Sequence, residues 1–94
     1  MQKLYIIKIG GNVLDDEQVL NSFLKDFSSI QYPKILVHGG GKIATKIGDK
    51  MGIESNYVNG RRITDQPTRD LVTMVYGGLI NRQIVTTLQH NNCN

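Results

Sequence analysis

The sequence predicts an α/β protein that is built around a mainly parallel sheet. Two short apolar runs, over residues 4–7 and 35–37, lack the polar alternation of a half-solvated strand. Continuous apolar runs of this kind are typical of parallel strands that are covered on both faces. A glycine cluster and then a segment with helical periodicity follow each run. This order indicates a βαβα unit, whose crossover is expected to be right-handed.

The first strand is predicted over residues 3–9, and the first helix over residues 15–30. The strand is rich in β-branched residues and ends at glycine. Acidic residues at 15–17 favour the positive end of the helix, and Pro33 lies just beyond its end. The apolar stripe of this helix consists of Leu20, Phe23, Leu24 and Phe27.

The second strand is predicted over residues 34–38, and the second helix over residues 42–51. Gly52 follows this helix and is its expected C-cap. Three lysines on the helix are interpreted as a solvated face, namely Lys42, Lys46 and Lys50. Its inward positions are predicted to be Ile43, Ile47 and Met51.

A hairpin and a third helix complete the predicted elements. Asn59-Gly60 is a strong signal for a two-residue turn, here pairing residues 55–58 with residues 61–64. The helix is predicted to begin near Asp65, a good N-cap, and to reach about residue 90, with proline in its first turn. Its apolar positions are Leu71, Val72, Val75, Leu79, Val85 and Leu88.

This third helix is longer than one small domain can bury. A helix of about 25 residues spans about 37 Å, whereas a compact domain of 94 residues has a radius of gyration of about 12 Å. We therefore expect the helix to contact a partner subunit or a further domain. Gly77-Gly78 in its middle costs about 2 kcal/mol relative to alanine. These glycines indicate a bend or the close approach of another backbone.

Composition and charge narrow the classes of protein. The 94 residues carry a net charge of +3, without a dense basic patch interleaved with aromatic residues. This pattern suits an anionic substrate and disfavours nucleic-acid binding. No apolar run of about 18 residues and no signal peptide is visible, and the single cysteine, Cys93, cannot form an internal disulfide. We expect a cytoplasmic protein without membrane contact.

The glycine clusters and Lys8 predict an anion-binding site. Parallel neighbouring strands would bring Gly10-Gly11 and residues 39–41 to one edge of the sheet, where backbone N–H groups and helix N-termini hold phosphoryl groups. Lys8 lies near the carboxyl end of an apolar strand, which favours anion binding over a solvated strand-end charge. Neither cluster matches the established glycine-rich nucleotide motifs, so any nucleotide is bound in another manner.

The segment from His38 to Gly41 allows two functional interpretations. One is a phosphate cradle at a helix N-terminus, and the other is the oxyanion loop of esterases. The second interpretation requires a serine in Gly-x-Ser-x-Gly, and none of the serines has that context. His38 itself is interpreted as a loop-packing residue, because no paired carboxylate lies near it in the sequence.

Other polar residues are weaker candidates. Arg61-Arg62 is suited to clamp a substrate carboxylate bidentately, and it is equally explained as a pair of surface charges. Asn81 on the long helix either hydrogen-bonds a ligand or caps a packing contact. The two histidines and one cysteine are widely separated, so no metal site is predicted.

Four segments, taken in order, resemble those of the N-acetylglutamate kinases within the amino-acid kinase family. Lys-x-Gly-Gly is shared across that wider family, whereas Asn-Gly-x-Arg-x-Thr narrows the resemblance to the acylglutamate enzymes. The resemblance covers the whole chain. It implies a three-layer αβα sandwich with a mainly parallel sheet, of which this chain forms an incomplete N-terminal lobe. The segments are residues 7–11, 37–41 and 59–64, and the pair Gly78 and Asn81.

The resemblance implies phosphoryl transfer from ATP, with Mg²⁺, to the side-chain carboxylate of N-acetylglutamate, in arginine biosynthesis. Lys8 would be catalytic and would stabilise the transferring phosphoryl group. Phosphate contacts are implied for Lys8, Gly10, Gly11, Gly40 and Gly41. Contacts with the acceptor substrate are implied for Gly40, Gly41, Arg62 and Asn81, with Arg62 on the α-carboxylate.

The family's nucleotide lobe follows the position of Asn94. Residues 1–94 are therefore expected to be an acceptor-binding and dimerisation lobe that lacks the ATP-binding lobe and is inactive alone. A homodimer through the long helix is also implied. The alternatives are a naturally short, non-catalytic module that binds an anion or amino acid, and another member of the amino-acid kinase family.

Overall fold

The computed structural model describes residues 3–54 and 56–94. Two parallel strands and a short hairpin are joined by helices, and a π-helical segment divides the last helical run. The elements in chain order are β1 (Tyr5–Ile9), α1 (Gly11–Leu14), α2 (Glu17–Ser29), β2 (Lys34–His38), α3 (Ile43–Lys50), β3 (Tyr57–Val58), β4 (Arg61–Arg62), α4 (Gln66–Val72), the π-helical segment (Thr73–Ile80) and α5 (Asn81–His90).

The strands β1 and β2 pair in parallel, as the sequence predicts. Their register places Ile9 opposite His38, so both strands end at the same edge of the sheet. The helix α2 forms the crossover between them. The first glycine of each cluster therefore follows a strand end at a common edge.

The helix predicted over residues 15–30 begins later than expected. A single turn, α1, precedes it, and α2 begins at Glu17 with Asp16 as its N-cap. The Asp16 carboxylate accepts hydrogen bonds from the backbone N–H groups of Gln18 and Val19, each at 3.1 Å. Asp15 lies outside α2, because its side chain is engaged elsewhere.

The hydrophobic core lies between the helices and one face of the sheet. Ile9 of β1 is buried in it, and Leu36 of β2 packs against it. The predicted stripe of α2 faces this core, and Leu24 is 1% exposed. The other buried core residues are Leu14, Ala44, Leu71, Val75, Ile80 and Ile84.

The opposite face of the sheet is exposed, which differs from the predicted burial on both faces. We call this surface the open face; it consists of Ile6, Lys8, Ile35 and Val37. Ile6 is 67% exposed, and Ile35 and Val37 are 48% and 42% exposed. Helices among the described residues cover only the other face. Some apolar side chains of these strands are therefore not buried by the described residues.

The end of α3 is a Schellman motif, as the predicted glycine C-cap requires. Gly52 has φ of +74°, a conformation that favours glycine. The backbone N–H of Ile53 donates to the Gly48 carbonyl at 2.8 Å. Met51 was predicted to point inward but is 52% exposed, because the chain turns outward at this cap.

The π-helical segment changes the buried face of the third helix. Buried positions are spaced five apart from Val75 to Ile80 and four apart from Ile80 to Ile84. A π-helix closes i→i+5 hydrogen bonds, so five-residue spacing keeps one face inward. Leu79 and Val85 were predicted on that face, and they are exposed because the segment rotates them outward. The predicted continuous run nevertheless extends to His90.

The hairpin has the predicted turn but short strands. Tyr57 pairs with Arg62, and Val58 pairs with Arg61. Asn59 and Gly60 have φ of 51° and 77°, as a type I′ turn requires. Ser55, which was predicted to join the pairing, lies outside the described residues. Over the described ranges, no helix is long and apolar enough to span a membrane.

Asp65 caps α4 and gives the first testable prediction. Its carboxylate accepts the Thr68 backbone N–H at 2.9 Å. Hydrogen bonding to Thr68 holds the pKa of Asp65 below its ordinary value of 3.8. Because the folded-state pKa is lowered, the stabilisation is present above the unfolded-state pKa and is lost as pH falls through the folded-state value.

We therefore expect Asp65→Asn to lower the thermal unfolding midpoint at neutral pH. The difference from the unmodified chain should shrink as pH falls below about 4. Circular dichroism melts of both proteins across that range measure it. A difference that stays constant down to acidic pH would show that the charge of Asp65 does not contribute.

Candidate anion-binding site

The two glycine loops, residues 10–11 and residues 39–41, are in contact at the carboxyl ends of the strands. A Cβ atom built on Gly11 would lie only 3.5 Å from the Gly41 Cα atom. Because Ile9 and His38 are paired neighbours, each loop leaves the sheet beside the other. The structure thus brings together the backbone groups that the sequence predicts to share one site.

Asp15 bridges these loops, and sequence reasoning missed this role. Its Oδ1 atom accepts the backbone N–H of Lys42 at 2.9 Å. Gly41, with φ of +57°, lies directly against the carboxylate. A Cβ atom at Gly41 would come within 3.0 Å of the Asp15 Cγ atom. The carboxylate therefore lies next to the N-terminus of α3, at one side of the crevice between the two glycine loops.

Gly40 is buried under the ring of Tyr76. A Cβ atom on Gly40 would fall 2.7 Å from the Tyr76 Cζ atom and closer still to two other ring carbons. Tyr76 belongs to the π-helical segment, so that segment packs directly against the second glycine loop. Glycine is required at position 40 by this close approach.

His38 and Asn81 hold the start of the second glycine loop. The Asn81 Nδ2 atom lies 3.1 Å from His38 Nε2, and His38 Nδ1 lies 2.8 Å from the Gly39 carbonyl oxygen. Because a carbonyl only accepts, Nδ1 donates and Nε2 accepts from Asn81. This arrangement agrees with the predicted loop-packing role of His38. It also places Asn81 at the predicted edge of the sheet.

The π-helical geometry explains why two residues of one helix reach both parts of this loop. Tyr76 and Asn81 are five residues apart, and this spacing aligns them along a π-helix. In a regular α-helix, positions five apart diverge by more than a hundred degrees. Tyr76 packs on Gly40, and Asn81 bonds His38. The π-helical segment, through Tyr76, and the first residue of α5, Asn81, therefore brace the loop at two points.

Lys8 lies one residue before the end of β1, on the open face and opposite Val37. It is exposed, as is expected of a lysine at a strand end beside a ligand crevice or solvent. No hydrogen bond from its side chain is present among the described residues. Lys8 is close to Gly10-Gly11 along the chain. Its amino group is available for an anion.

The side chain of Arg62, in β4, reaches Thr45 in the first turn of α3. Its Nη2 atom donates to Thr45 Oγ1 at 3.3 Å, and its guanidinium lies 5.2 Å from the centre of the Tyr57 ring. Arg62 is half-buried, whereas Arg61 is exposed. The structure thus distinguishes the two arginines that the sequence presents as a pair, and it brings Arg62 toward the site.

A groove of about 710 Å³ lies elsewhere, between α2 and the last helical run. It adjoins the glycine loops at Asp15 and Ile43 but is otherwise lined by side chains such as Leu20 and Arg82. The contact between the two glycine loops at the paired strand ends, not cavity size, marks these loops as the candidate site.

The residues present suit phosphate more than a metal ion. Two glycine loops, a helix N-terminus and Lys8 supply donors and positive charge for phosphoryl oxygens. Over residues 3–54 and 56–94, no group of three His, Cys, Asp or Glu side chains is placed to hold a metal ion.

The fold and site together define an α/β domain with two glycine loops in contact at the carboxyl edge of a parallel sheet. The chain matches the Amino acid kinase family over residues 3–94, and it belongs to that family. This membership agrees with the predicted fold class, since the described residues form the parallel sheet and helices of an incomplete domain.

Two curated relatives are named acetylglutamate kinase. The protein of Cytophaga hutchinsonii is 64% identical over 94 residues, which are 100% of this chain and 36% of the relative. That of Parabacteroides distasonis is 55% identical over 89 residues, which are 95% of this chain and 35% of the relative. The chain thus spans about a third of the length of these relatives.

A solved structure supports the fold. The crystal structure of smu.665 from Streptococcus mutans superposes with a TM-score of 0.77 at 24% identity. The match covers 98% of this chain and 38% of that chain. At this identity the likeness concerns the fold alone.

Proposed function

We propose that this chain is the acceptor-binding and dimerisation lobe of an acylglutamate kinase. The parent enzyme transfers the γ-phosphoryl group of ATP to the side-chain carboxylate of N-acetylglutamate. The observation that carries the proposal is the contact between the two glycine loops at the ends of paired strands. The relatives named acetylglutamate kinase support the choice of substrate.

Some of these residues bind phosphate and others bind the acceptor substrate. Lys8 stabilises the charge of the transferring phosphoryl group, and positioning with charge neutralisation supplies most of the catalysis. Arg62 binds the α-carboxylate of the acceptor. The backbone N–H groups that hold phosphate belong to Gly10, Gly11, Gly40 and Gly41. Gly40, Gly41 and Asn81 also line the acceptor position.

The nucleotide is held mainly by groups outside residues 1–94. ATP with Mg²⁺ supplies the phosphoryl group and neutralises its charge. Because the chain spans only 36% of the Cytophaga hutchinsonii relative, we expect residues 1–94 alone to be inactive. We place the reaction in arginine biosynthesis, in the cytoplasm, with no nucleic-acid or membrane partner.

A chimera tests this function directly. The segment of the Cytophaga hutchinsonii acetylglutamate kinase that aligns with this chain is replaced by residues 1–94, which are 64% identical to it. We expect release of ADP that depends on N-acetylglutamate, measured in a coupled assay. Residues 1–94 alone are the matched control and should show none. A folded chimera without acceptor-dependent turnover would overturn the proposal.

The last helical run is the proposed dimer contact. Met74, Leu79 and Val85 of this run are exposed, at 50%, 38% and 37%. Among the described residues, nothing apart from the helix's own neighbouring backbone lies within 4 Å of a Cβ atom built on Gly77 or Gly78. Both features suit the approach of a second helix.

We expect the chain to be dimeric at tens of micromolar, and Leu79→Glu to make it monomeric, because the new charge would be buried between apolar helices. Light scattering measures the mass. Val19→Glu, on an exposed position of α2, is the matched control and should leave the mass unchanged. A monomeric unmodified chain would contradict the proposed contact.

A further inference from the structure

The N-terminus of α3 lacks a capping side chain of its own. Its N-cap residue is Lys42, which makes no side-chain cap hydrogen bond. Lysine carries no acceptor, whereas Ser, Thr, Asp and Asn are the preferred N-cap residues. Asp15 supplies an acceptor from a different element, through its bond to the Lys42 N–H. A carboxylate also complements the positive end of the helix.

The same aspartate is fixed to the first glycine loop. The Asp15 backbone N–H donates to the Gly11 carbonyl at 2.8 Å, at the end of the single turn α1. Its side chain meets the second loop at Lys42 and Gly41. One residue therefore joins both halves of the crevice by two different hydrogen bonds.

The charge of Asp15 also has an electrostatic effect that opposes anion binding. The carboxylate lies beside the backbone donors that would receive an anion, and like charges repel at this range. We propose that Asp15 is a positioning residue that joins the two glycine loops, and that its charge limits how tightly the loops hold an anion. The second part rests on the proposed function, since it takes the crevice as the anion site.

Two variants separate the bridge from the charge. Asp15→Asn keeps an oxygen acceptor for the Lys42 N–H and removes the charge, whereas Asp15→Ala removes both. Asp16→Asn is the matched control, because it removes the neighbouring charge and asparagine still caps α2. All are made in the 94-residue chain, and inorganic tripolyphosphate at constant ionic strength is the probe.

Binding is measured by ¹H–¹⁵N NMR on the glycine-loop amides. We expect Asp15→Asn to bind tripolyphosphate about fivefold more tightly than the unmodified chain, because one repulsive charge is lost. Asp15→Ala should bind about fivefold more weakly than Asp15→Asn, because only the latter keeps the loops joined. Asp16→Asn should match the unmodified chain within about twofold.

The Lys42 amide proton gives an independent spectroscopic readout. The chemical shift of this proton should move upfield in Asp15→Ala, where the hydrogen bond is lost. In Asp15→Asn it should remain that of a hydrogen-bonded amide, and in Asp16→Asn it should be unchanged. Equal affinities of the two Asp15 variants, or an unmoved Lys42 signal in Asp15→Ala, would overturn the bridge. An equal gain in Asp16→Asn would overturn the local charge effect.

These results are separable from the fate of the proposed function. An inactive chimera together with the expected Lys42 shift and affinity differences would refute the kinase assignment and leave Asp15 as the bridge. Failure of every variant to bind tripolyphosphate would overturn the anion site and the charge effect, and the Lys42 signal would still decide the bridge. If Asp15→Ala does not fold, the affinity of Asp15→Asn still decides the charge effect. Unfolding of Asp15→Ala but not of Asp15→Asn would support the bridge, because only Asp15→Ala lacks the acceptor.

Discussion

Replacing Lys8 with methionine is expected to lower the turnover number of the chimeric kinase about 100- to 1000-fold. Methionine keeps the length and apolar stem of lysine but removes its charge. Lys8 lies at the carboxyl end of β1 with its amino group free of other hydrogen bonds among the described residues. A positive charge aimed at the transferring phosphoryl group acts mainly in the transition state.

The kinetic parameters distinguish this role from simple binding. We expect kcat to fall much more than the KM for N-acetylglutamate rises, because Arg62 and not Lys8 holds the acceptor in our proposal. Lys50→Met is the matched control, since Lys50 is an exposed lysine at the far end of α3. It should leave kcat within about twofold. An Lys8→Met chimera with unchanged kcat would remove Lys8 from catalysis.

Replacing Gly40 with alanine is expected to destabilise the chain by about 1–3 kcal/mol. The new methyl group would overlap the ring of Tyr76, which packs directly on this glycine. The ring is carried by the π-helical segment, so it moves only at the expense of the helix packing behind it. Urea unfolding followed by circular dichroism measures the change.

Gly39 offers a control one residue away. A Cβ atom there meets none of the described residues beyond its chain neighbours within 4 Å, so Gly39→Ala should change stability by less than about 0.5 kcal/mol. Combining Gly40→Ala with Tyr76→Ala should recover part of the loss, because the overlap requires both side chains. Additive losses in that double variant would show that the contact with Tyr76 is not the cause.

Features set by neighbouring residues were predictable from the sequence. The Asn59-Gly60 turn and the Asp65 cap each depend on residues within three positions of each other, and each strand is marked by its own apolar run. The contact between the glycine loops was also predictable, because neighbouring parallel strands have their carboxyl ends at the same edge of the sheet. Local chemistry and one topological rule were sufficient there.

Features set by tertiary contacts were not predictable. Asp15 has the residue type and place of a helix-starting acid, and nothing local to it reveals a bond to Lys42, 27 residues away. Leu79 and Val85 were assigned to the buried face because α-helical spacing was assumed throughout. The π-helical register that exposes them arises from packing against the core and the second glycine loop. Glycines at 77 and 78 were the one local sign of irregularity.

The open face of the sheet has a consequence for synthesis of the protein. A ribosome making a chain of the length of the Cytophaga hutchinsonii relative, of which this chain is 36%, has about 170 residues still to add when this face forms. At about 5–20 residues per second, that delay is about 10–30 s. During this interval Ile6, Ile35 and Val37 present an apolar strand surface to solvent.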